Sequence, residues 1–400
     1  MATTDIPARG ARAADHTDFE HTGPGTLAGR YLRRFWQPVC VATELAAGHA
    51  KPIRFMSQDY TLYRGEDGKP HLLDFRCAHR GTQLSTGWVE GDCIRCFYHG
   101  WKYDGSGQCV EQPAEDAGFA SKVRIKSYPT QEYLGLIFAY LADAERGDTG
   151  AFGPPPLPRY PVLEADGVLD IMTYTRACNW FNNWENAPDP VHLAFTHSSS
   201  AFTHGGLVGV PEVAAEESEW GLTVRATRPS GVRVTQLGMP NIAYIKNAPD
   251  TAGGAWQEAF AWKVPIDDEH HQSFNVSLVH VTGEAAEQYR QRRRAQAGNS
   301  QRPAHRPPAH HPMEEIVDAI MRGELRVADV LDHPNIINIQ DSVAQIGQGA
   351  IADRTQERLG RSDVGVIRLR RLWARELRAL AEGQPLKEWR WSGIEATVGV

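Results

Sequence analysis

The sequence predicts an α+β protein, with a small all-β module followed by a larger antiparallel-sheet domain with helices. Between residues 38 and 141, short β-rich runs alternate with turn signals such as EDGK, EGD and DGSG. A proline-rich stretch follows over residues 153–161, and longer runs of strand character come after it. The last part of the chain has helical periodicity. These observations divide the chain into two folded parts joined by a stiff connector.

The predicted boundaries follow from these patterns. Residues 1–22 are polar and small, and we expect them to form a flexible arm before an all-β module over 23–152. A linker over 153–161 leads to a C-terminal domain over 162–400. Within that domain, residues 290–312 are basic, contain proline and are poor in apolar residues, which predicts a mobile excursion.

Composition excludes several classes of protein. The chain has 400 residues, a hydrophobic share of 41% and a net charge of −7, so it can bury a core but has no broad basic surface for nucleic acid. It lacks the run of about eighteen apolar residues that a membrane helix needs. Its N-terminus lacks the apolar core of a signal peptide. We therefore expect a cytoplasmic protein with reduced thiols and no membrane partner.

Four potential metal ligands are concentrated in the all-β module. Cys77 and His79 form a C-x-H pair, sixteen residues follow, and Cys96 and His99 form a C-x-x-H pair. Each pair is predicted to lie on a tight loop at a strand end, within reach of one metal centre. In a Rieske centre, two thiolates hold one iron of a [2Fe–2S] cluster and two imidazoles hold the other. The spacing therefore indicates a [2Fe–2S] cluster.

Two other interpretations compete with the cluster. A set of two cysteines and two histidines can hold structural zinc, but zinc fingers rarely place a single residue between cysteine and histidine. A coincidence of unrelated residues is disfavoured by the joint spacing and by the HRG and YHGW sequences at the histidines. The remaining cysteines are interpreted as small apolar residues: Cys40, Cys93, Cys109 and Cys178.

At these residues the chain resembles the Rieske non-haem iron aromatic-ring oxygenases. The resemblance extends over almost the whole chain and includes GTLAGRYLRRFWQPV, CAHRG and CFYHGWKYDGSGQCVEQPAE. It is similar in particular to the phthalate-dioxygenase group and, within it, to O-demethylases of lignin-derived biaryls. The resemblance implies an oxygenase (alpha) subunit with a Rieske domain over 23–152 and a helix-grip-like catalytic domain over 162–400.

A second ligand set is implied by the same resemblance. The segment ENAPDPVHLAFTH carries Asp189, His192 and His197 in the D-x-x-H-x-x-x-x-H pattern of the family, in which the two histidines bind a mononuclear Fe(II). A triad of two histidines and one carboxylate leaves adjacent positions open for O₂. Asp341, in NIINIQDSVAQIGQG, matches the family's late carboxylate. Other carboxylates compete for this role: Asp332, Asp353 and Asp363.

Helical periodicity adds a prediction about this segment. At about 100° per residue, His192 and His197 are about 140° apart on a regular α-helix, which is too wide for two ligands of one metal. We therefore expect the helix to be distorted between them. Pro188 and Pro190 prevent a regular helix just upstream.

The resemblance also implies how the two metal groups communicate. Electrons arrive one at a time from a separate ferredoxin or flavin reductase, and NAD(P)H acts only through that partner. They pass from His99 of one subunit to His192 of the next through Asp189, which accepts a hydrogen bond from each. This route implies a homo-oligomer, either a trimer or a stacked hexamer.

Substrate contacts are expected on the strands of the C-terminal domain. Four basic residues lie on predicted strands: Arg225, Arg233, Lys246 and Lys263. One or two of them are expected to point inward and hold a carboxylate, although a solvated strand face is favoured for any single one. Three aromatic residues before the ligand histidines either line the pocket or pack in the core. These residues are Trp180, Phe181 and Trp184, and core packing is favoured for at least two of the three.

The predicted function is O₂-dependent O-demethylation of a methoxylated, carboxylated, lignin-derived aromatic such as 5,5′-dehydrodivanillate. cis-Dihydroxylation of an aromatic carboxylate uses the same ligands and is the enzymatic alternative. An electron-carrier Rieske protein would need little beyond residue 150, and the length of this chain argues against it. A binding protein stabilised by structural zinc would be colourless, whereas a [2Fe–2S] protein is red-brown.

Overall fold

The N-terminal module is built from antiparallel sheets. The computed structural model of the chain describes residues 16–116, 118–142, 154–198, 209–249, 256–298 and 312–390. A short helix, α1 (Leu27–Leu32), precedes the strands β1 (Trp36–Val41), β2 (Ala50–Phe55), β3 (Gln58–Arg64), β4 (Pro70–Asp74), β5 (Trp88–Glu90), β6 (Cys93–Arg95), β7 (Lys102–Tyr103), β8 (Cys109–Glu111), β9 (Ser127–Tyr128), β10 (Thr130–Tyr133) and β11 (Leu136–Tyr140). The described strands pair as β1–β11–β10, β2–β3–β4–β9 and β5–β6–β7–β8.

The C-terminal domain is one antiparallel sheet with helices. Its strands are β12 (Val168–Arg176), β13 (Glu212–Glu217), β14 (Gly221–Arg228), β15 (Gly231–Gly238), β16 (Ile242–Pro249), β17 (Trp256–Pro265) and β18 (His271–Val279), in the order β12–β18–β17–β16–β15–β14–β13. The helices are α2 (Trp180–Asn186), α3 (His192–Phe195), α4 (Gly283–Gly298), α5 (Met313–Met321), α6 (Ile336–Ile346) and α7 (Val364–Ala381). This architecture confirms the predicted α+β class. Within the described ranges, no helix is both long and apolar enough to cross a membrane.

The two sides of the seven-stranded sheet have different neighbours. Residues that lie opposite each other on adjacent strands share a side. Tyr174, Ser273 and Lys263 form one such cross-strand row, and Asn183 of α2 donates hydrogen bonds to Tyr174 and Ser273. We call this the helix side of the sheet. The opposite side, the module side, faces the N-terminal module.

Aromatic packing fixes the module against the sheet. On the module side, Phe274 lies 6.3 Å from Phe55, and Trp262 lies 5.7 Å from Phe138, between ring centroids. Backbone hydrogen bonds of 2.8 and 2.9 Å join residues 56 and 57 to the strand-end carbonyls of residues 265 and 266. The module is therefore held in one place by both apolar burial and backbone pairing.

Two predicted flexible segments are ordered where the structure describes them. Phe19 is buried and stacks on Phe181, so the flexible arm predicted over 1–22 is wrong for residues 16–22; residues 1–15 lie outside the described ranges. The mobile excursion predicted over 290–312 is likewise wrong for residues 290–298, which belong to α4. Arg293 of α4 donates to Asp170 of β12 at 2.9 Å, and this ion pair offsets the poor apolar content that suggested a loop. Residues 299–311 lie outside the described ranges.

The proline-rich connector is docked against the module. Trp36 Nε1 donates to the carbonyl of Pro155 at 2.8 Å, and Tyr160 is buried with its ring 6.2 Å from Tyr133. The described part of the predicted linker over 153–161 thus has fixed contacts with the N-terminal part of the chain.

Candidate functional site

Two loops of the module carry the cysteine–histidine pairs. The C-x-H pair follows β4, and the C-x-x-H pair follows β6. Gly81 N–H donates to the carbonyl of Cys77 at 3.0 Å, and Gly100 N–H donates to the carbonyl of Cys96 at 3.1 Å. Both glycines have a φ of +74°, which residues with a Cβ rarely adopt. The two loops are therefore similar tight turns, each of which ends in glycine.

The four candidate cluster ligands differ in burial. Cys77 and Cys96 are buried, whereas His79 is half-buried and His99 is exposed. The two imidazole rings are 4.4 Å apart between centroids, and Trp101 stacks on His79 at 4.5 Å. The thiols thus face the core of the module while the imidazoles face its surface. This arrangement suits a cluster that exchanges electrons through its histidine-bound iron.

The surroundings of these ligands favour their metal-binding forms. Desolvation, with the charges of His79 and Arg80, lowers the pKa of His99, which is the direction that favours a metal-binding imidazole. The Tyr103 hydroxyl lies 3.3 Å from the Cys77 sulfur. Hydrogen bonds to the sulfur ligands adjust the potential of an iron–sulfur cluster. The described residues therefore fit a Rieske [2Fe–2S] cluster in both donor set and environment.

His192, His197 and Asp341 form a second cluster, in the C-terminal domain. One ligand atom of each residue lies within 4.8 Å of the others. Asp341 Oδ1 is 3.3 Å from His197 Nε2 and 3.9 Å from His192 Nε2. In the described part of the chain, this is the one group of three or more histidine, cysteine or carboxylate side chains placed to share an ion. Two imidazoles and one carboxylate are the donor set of the facial triad that binds non-haem Fe(II).

The backbone around the two histidines is not a regular helix. α2 ends at Asn186, and α3 begins at His192 but ends at Phe195, before His197. The expected distortion between the histidines thus takes the form of a helix end. It places the two rings 5.4 Å apart between centroids, closer than opposite faces of a continuous helix would allow.

Arg176 of β12 holds the helix that carries Asp341. Its guanidinium donates to Ser342 Oγ at 2.8 Å and to Gln345 Oε1 at 2.7 Å, and lies 3.9 Å from Asp341 Oδ2. Burial alone would raise the pKa of Asp341. The hydrogen bond from His197 and the charges of Arg176 and the histidines outweigh burial and hold this pKa at about 2. The carboxylate is therefore ionised at neutral pH.

His197 is oriented by the residue next to Asp341. Its Nδ1 donates to Gln340 Oε1 at 2.8 Å, which directs Nε2 toward the carboxylate. Sequence reasoning missed both Gln340 and Arg176. The position of Gln340 beside Asp341 was an available signal, whereas nothing in the local sequence connects Arg176 with α6.

The competing carboxylates lie elsewhere. Asp353 accepts hydrogen bonds from the backbone and hydroxyl of Thr355, and Asp363 accepts one from Gly360 N–H. Asp332 is exposed, and none of the three belongs to the histidine cluster. Asp341 is therefore the carboxylate whose position fits the two histidines.

Asp189 lies beside the triad but does not form the expected hydrogen bond. Its Oδ2 is 3.7 Å from His192 Nδ1, an ion-pair distance that is too long for a hydrogen bond. Its Oδ1 accepts the backbone N–H of Val191 at 2.9 Å. Burial would raise the pKa of Asp189, but His192 and the backbone N–H groups lower it. Asp189 borders an open groove of about 520 Å³ that Asn186 and Arg370 also line.

Strand register separates the four predicted substrate residues. Lys263 lies on the helix side, where it donates to the Tyr174 hydroxyl at 2.9 Å and to Ser273 Oγ at 3.1 Å. Ala261, two residues before Lys263 on β17, lies on the same side. It pairs with Ala243 of β16, and Ala243 pairs with Leu237 of β15, so these residues also lie on the helix side. Arg233, four residues before Leu237 on β15, therefore also lies on the helix side.

The other two basic residues point away from the triad. Arg225 pairs with Val234 in the register and forms an exposed ion pair with Glu216. Lys246 pairs with Glu258 and follows Ile245, which lies on the helix side, so its own side chain belongs to the module side. One or two of the four candidates were expected to point inward, and Arg225 and Lys246 are not placed to do so, because alternate residues of a strand face opposite sides.

The aromatic residues before the ligand histidines belong to the core, as favoured from the sequence. Trp180, Phe181 and Trp184 are each 0% exposed. Trp180 and Phe181 contact Trp373 of α7, at 5.1 and 5.8 Å between ring centroids. Of the four cysteines outside the predicted ligand set, Cys40, Cys109 and Cys178 are buried, while Cys93 is half-buried. Their packing is consistent with apolar residues outside the ligand set.

Comparison with known proteins identifies both parts of the chain. Residues 35–129 match the family described as the Rieske [2Fe-2S] domain. The chain is 32% identical to the oxygenase subunit of 5,5′-dehydrodivanillate O-demethylase from Sphingobium sp. (strain NBRC 103272 / SYK-6), over 94% of this chain and 82% of the relative. It is 30% identical to the alpha subunit of phenoxybenzoate dioxygenase from Ectopseudomonas oleovorans, over 90% and 84% of the two chains.

A solved structure shares the same fold. The terminal oxygenase of carbazole 1,9a-dioxygenase from Novosphingobium sp. KA1 superposes with a TM-score of 0.62 and 22% sequence identity, covering 92% of this chain and 96% of that one. The sheet, the helices on one of its sides and the attached all-β module thus occur together in a solved structure.

Proposed function

The chain belongs to the Rieske-type oxygenases, as the oxygenase component of such a system, and from this premise we propose that it demethylates a methoxylated aromatic acid with O₂. The observation that carries this proposal is the convergence of His192, His197 and Asp341 on the helix side of the sheet. Oxidation by O₂ needs an open coordination position on a metal at this triad and a source of electrons. The Rieske module would supply the electrons.

We propose the following ligand sets. The [2Fe–2S] cluster is held by Cys77, His79, Cys96 and His99 of the Rieske domain, residues 23–152. The mononuclear Fe(II) is held by His192, His197 and Asp341 of the catalytic domain, residues 162–400. When bound, these groups supply one-electron transfer and O₂ activation, respectively. Arg176 and Gln340 orient the catalytic ligands through the hydrogen bonds described above.

The proposed reaction removes the methyl group of an aryl ether. An aryl methyl ether, O₂, two electrons and two protons give the hydroxymethyl ether and water, and the hydroxymethyl ether collapses to a phenol and formaldehyde. The 32% identity to a relative named as an O-demethylase, over 94% of this chain, supports this chemistry. A lignin-derived biaryl such as 5,5′-dehydrodivanillate is the proposed substrate.

cis-Dihydroxylation of an aromatic carboxylate is the second candidate. It is favoured by the 30% identity to a relative named as a dioxygenase, and the same three ligands would serve it. The two reactions differ in their products, because only demethylation releases formaldehyde.

An oxygen-uptake assay separates the two candidates. The enzyme, with an electron donor, is given methoxylated aromatic acids and their unmethoxylated counterparts, and its products are analysed. We expect formaldehyde and a phenol in a one-to-one ratio from the methoxylated acids only. A cis-diol from either set would instead establish dihydroxylation.

We further propose the partners that supply electrons. The oxygenase of carbazole 1,9a-dioxygenase, which shares this fold, has been solved in a complex with a ferredoxin. We infer that a ferredoxin, a flavin reductase or both reduce this chain, and that NAD(P)H acts through them. His99 is exposed and flanked by the exposed side chains of Phe97 and Tyr98, which suits a surface that exchanges electrons with other chains.

Electron transfer to the catalytic iron is proposed to cross a subunit boundary. Asp189 borders the groove beside the triad, where it is 28% exposed and can meet a second chain. In a trimer or a stacked hexamer, His99 of a second copy would dock at this groove. Asp189 would then accept hydrogen bonds from His192 and from the docked histidine, which would shorten the 3.7 Å separation described above.

A further inference from the structure

We propose that Arg233 binds the carboxylate of the aromatic substrate, with Arg228 as its supporting residue. This inference rests on the proposed function and names the group that positions the substrate beside the catalytic triad. Sequence analysis offered four basic residues for this role. The structure distinguishes Arg233 from the other three through strand register, charge and hydrogen bonding.

Register and a backbone contact place Arg233 near the triad. Arg233 pairs with Ala226 of β14, and Arg228 lies two residues further along β14 on the same side. Arg228 donates to the carbonyl of Pro190 at 3.1 Å and to that of Gly209 at 3.0 Å. Pro190 is two residues from the ligand His192. Both arginines therefore lie on the helix side, and the Arg228 guanidinium contacts the segment that carries the metal ligands.

The charge of Arg233 has no counter-charge in the described part of the chain. Arg233 is half-buried and forms no hydrogen bond or ion pair with the described residues. Burial, followed by the positive charge of Arg228, lowers the pKa of Arg233 to about 10, so the group stays charged at neutral pH. Two adjacent cations without an anion are unfavourable in a partly desolvated site. A bound carboxylate would remove this cost and could form paired hydrogen bonds with the planar guanidinium.

Each of the other basic residues already has a partner or faces the wrong side. Lys263 is 7% exposed and donates to Tyr174 and Ser273. Arg225 is paired with Glu216 on the other side of the sheet. Arg228 itself is 5% exposed and is held by two backbone carbonyls, so it cannot move toward a ligand. Lys246 faces the module side, so of the four candidates Arg233 is the one that lies on the helix side without a partner among the described residues.

The proposal is tested by comparing an acid with its neutral ester. Binding of 5,5′-dehydrodivanillate, of vanillate and of their methyl esters to the holoenzyme is measured by isothermal titration calorimetry. Arg233→Met is expected to weaken binding of the acids about 10- to 100-fold, which is the loss of one charge-assisted pair. Ester binding should change less than twofold, and Arg233→Lys should restore part of the affinity for the acids.

Arg225→Met is the matched control, because it removes the same charge from the opposite side of the sheet. It should bind acids and esters like the unmodified protein. The proposal is overturned if Arg233→Met weakens acids and esters equally, if Arg225→Met has the same effect, or if the unmodified protein binds neither acid. The visible spectrum of each variant shows whether the cluster and the fold are retained.

The same variants separate this inference from the proposed function. If the acids bind through Arg233 but release no formaldehyde, demethylation is wrong and the carboxylate site stands. If formaldehyde is released equally from acids and esters, by the unmodified protein and by Arg233→Met, demethylation stands and the carboxylate site is wrong.

Discussion

At the scale of single residues, His99 and Cys93 provide a matched test of the cluster ligands. We predict that His99→Ala removes or shifts the visible Rieske spectrum, because the histidine-bound iron loses one of its two imidazoles. Cys93→Ala should leave the spectrum unchanged, since Cys93 is half-buried outside the ligand set. Absorption and electron paramagnetic resonance spectra measure both. An unchanged spectrum in His99→Ala would remove this residue from the ligand set.

Asp341 and Asp353 provide the corresponding test for the catalytic iron. Asp341→Ala is expected to keep the red-brown cluster but lose the mononuclear iron and all turnover, because the triad loses its one carboxylate. Asp353→Ala should keep both, since Asp353 only caps a turn at Thr355. Iron per subunit and product formation are the measurements. The reverse pattern in the two variants would assign the carboxylate to Asp353.

Tyr174 is expected to ionise near neutral pH. Burial raises its pKa, but the charges of Arg176 and Lys263 and the hydrogen bonds from Lys263 and Ser273 outweigh burial and lower the pKa to about 7. The folded-state pKa is therefore below the unfolded value of about 10. The stability that this group contributes is present above the unfolded pKa and is lost as pH falls through about 7.

The ultraviolet difference spectrum tests this expectation. Between pH 6 and 8, tyrosinate absorption near 295 nm should rise in the unmodified protein and be absent from Tyr174→Phe. The difference between the two proteins removes the contribution of the iron groups. A rise of equal size in Tyr174→Phe would show that Tyr174 remains protonated.

At the scale of secondary-structure elements, buried ion pairs hold α2 against its neighbours. Glu185 of α2 accepts from Arg354 at 2.8 Å and also pairs with Arg370 of α7, and Arg354 pairs with Glu20 at 2.6 Å. The Glu185 side chain is 9% exposed, so water screens these charges poorly. α2 carries Asn186, which donates to Asp341 at 3.4 Å, and this network therefore supports the metal site.

We predict that Glu185→Ala destabilises the fold. Each arginine loses one of the two carboxylates that it contacts, while Arg354 keeps Glu20 and Arg370 keeps Glu357, so we expect a loss of about 1–3 kcal/mol. Thermal unfolding measures the effect, with Glu324→Ala as the control, because Glu324 forms an exposed pair with Arg322. The control should unfold at nearly the same temperature as the unmodified protein. Equal melting temperatures for all three proteins would mean that the Glu185 network does not hold α2.

At the scale of the whole molecule, Asp189 connects the proposed assembly with catalysis. Asp189→Asn is expected to leave both metal groups bound but to slow electron transfer severely, because the charge beside His192 is lost at the groove where we propose that a second copy docks. Rapid mixing of the pre-reduced protein with substrate and O₂ measures the oxidation of the cluster. Sedimentation should show a trimer or a hexamer for both proteins.

A purely structural role for Asp189 gives a different result. Asp189 accepts the N–H of Val191, and loss of such a cap costs about 0.5–2 kcal/mol of stability without a change in electron transfer. Asp189→Ala tests this role, because asparagine could still accept the Val191 N–H. Rapid cluster oxidation in an Asp189→Ala protein of reduced thermal stability would assign the residue to capping alone.

Local patterns determined the fold class and indicated most of the candidate site. Short strands with turn residues, followed by longer strands and helices, gave the α+β architecture, because the backbone follows local periodicity and turn chemistry. The cluster residues lie on two turns whose glycines need positive φ, a requirement that is visible in CAHRG and CFYHG. The family resemblance implied that His192 and His197 share a metal, and their spacing then predicted a distorted helix between them.

Only the tertiary structure decided which distant groups meet at the site. Asp341 joins the histidines because Arg176 of β12 holds α6, a contact that no local pattern contains. Strand register placed Arg233 and Lys263 on the helix side and Arg225 and Lys246 on the other, because a shift of one residue reverses the side that a strand residue faces. Packing also overrode composition in α4, where pairing of Arg293 with Asp170 stabilises a helix in a basic segment. Sequence spacing thus determined the types of ligand present, and the packing of distant elements determined which of them converge.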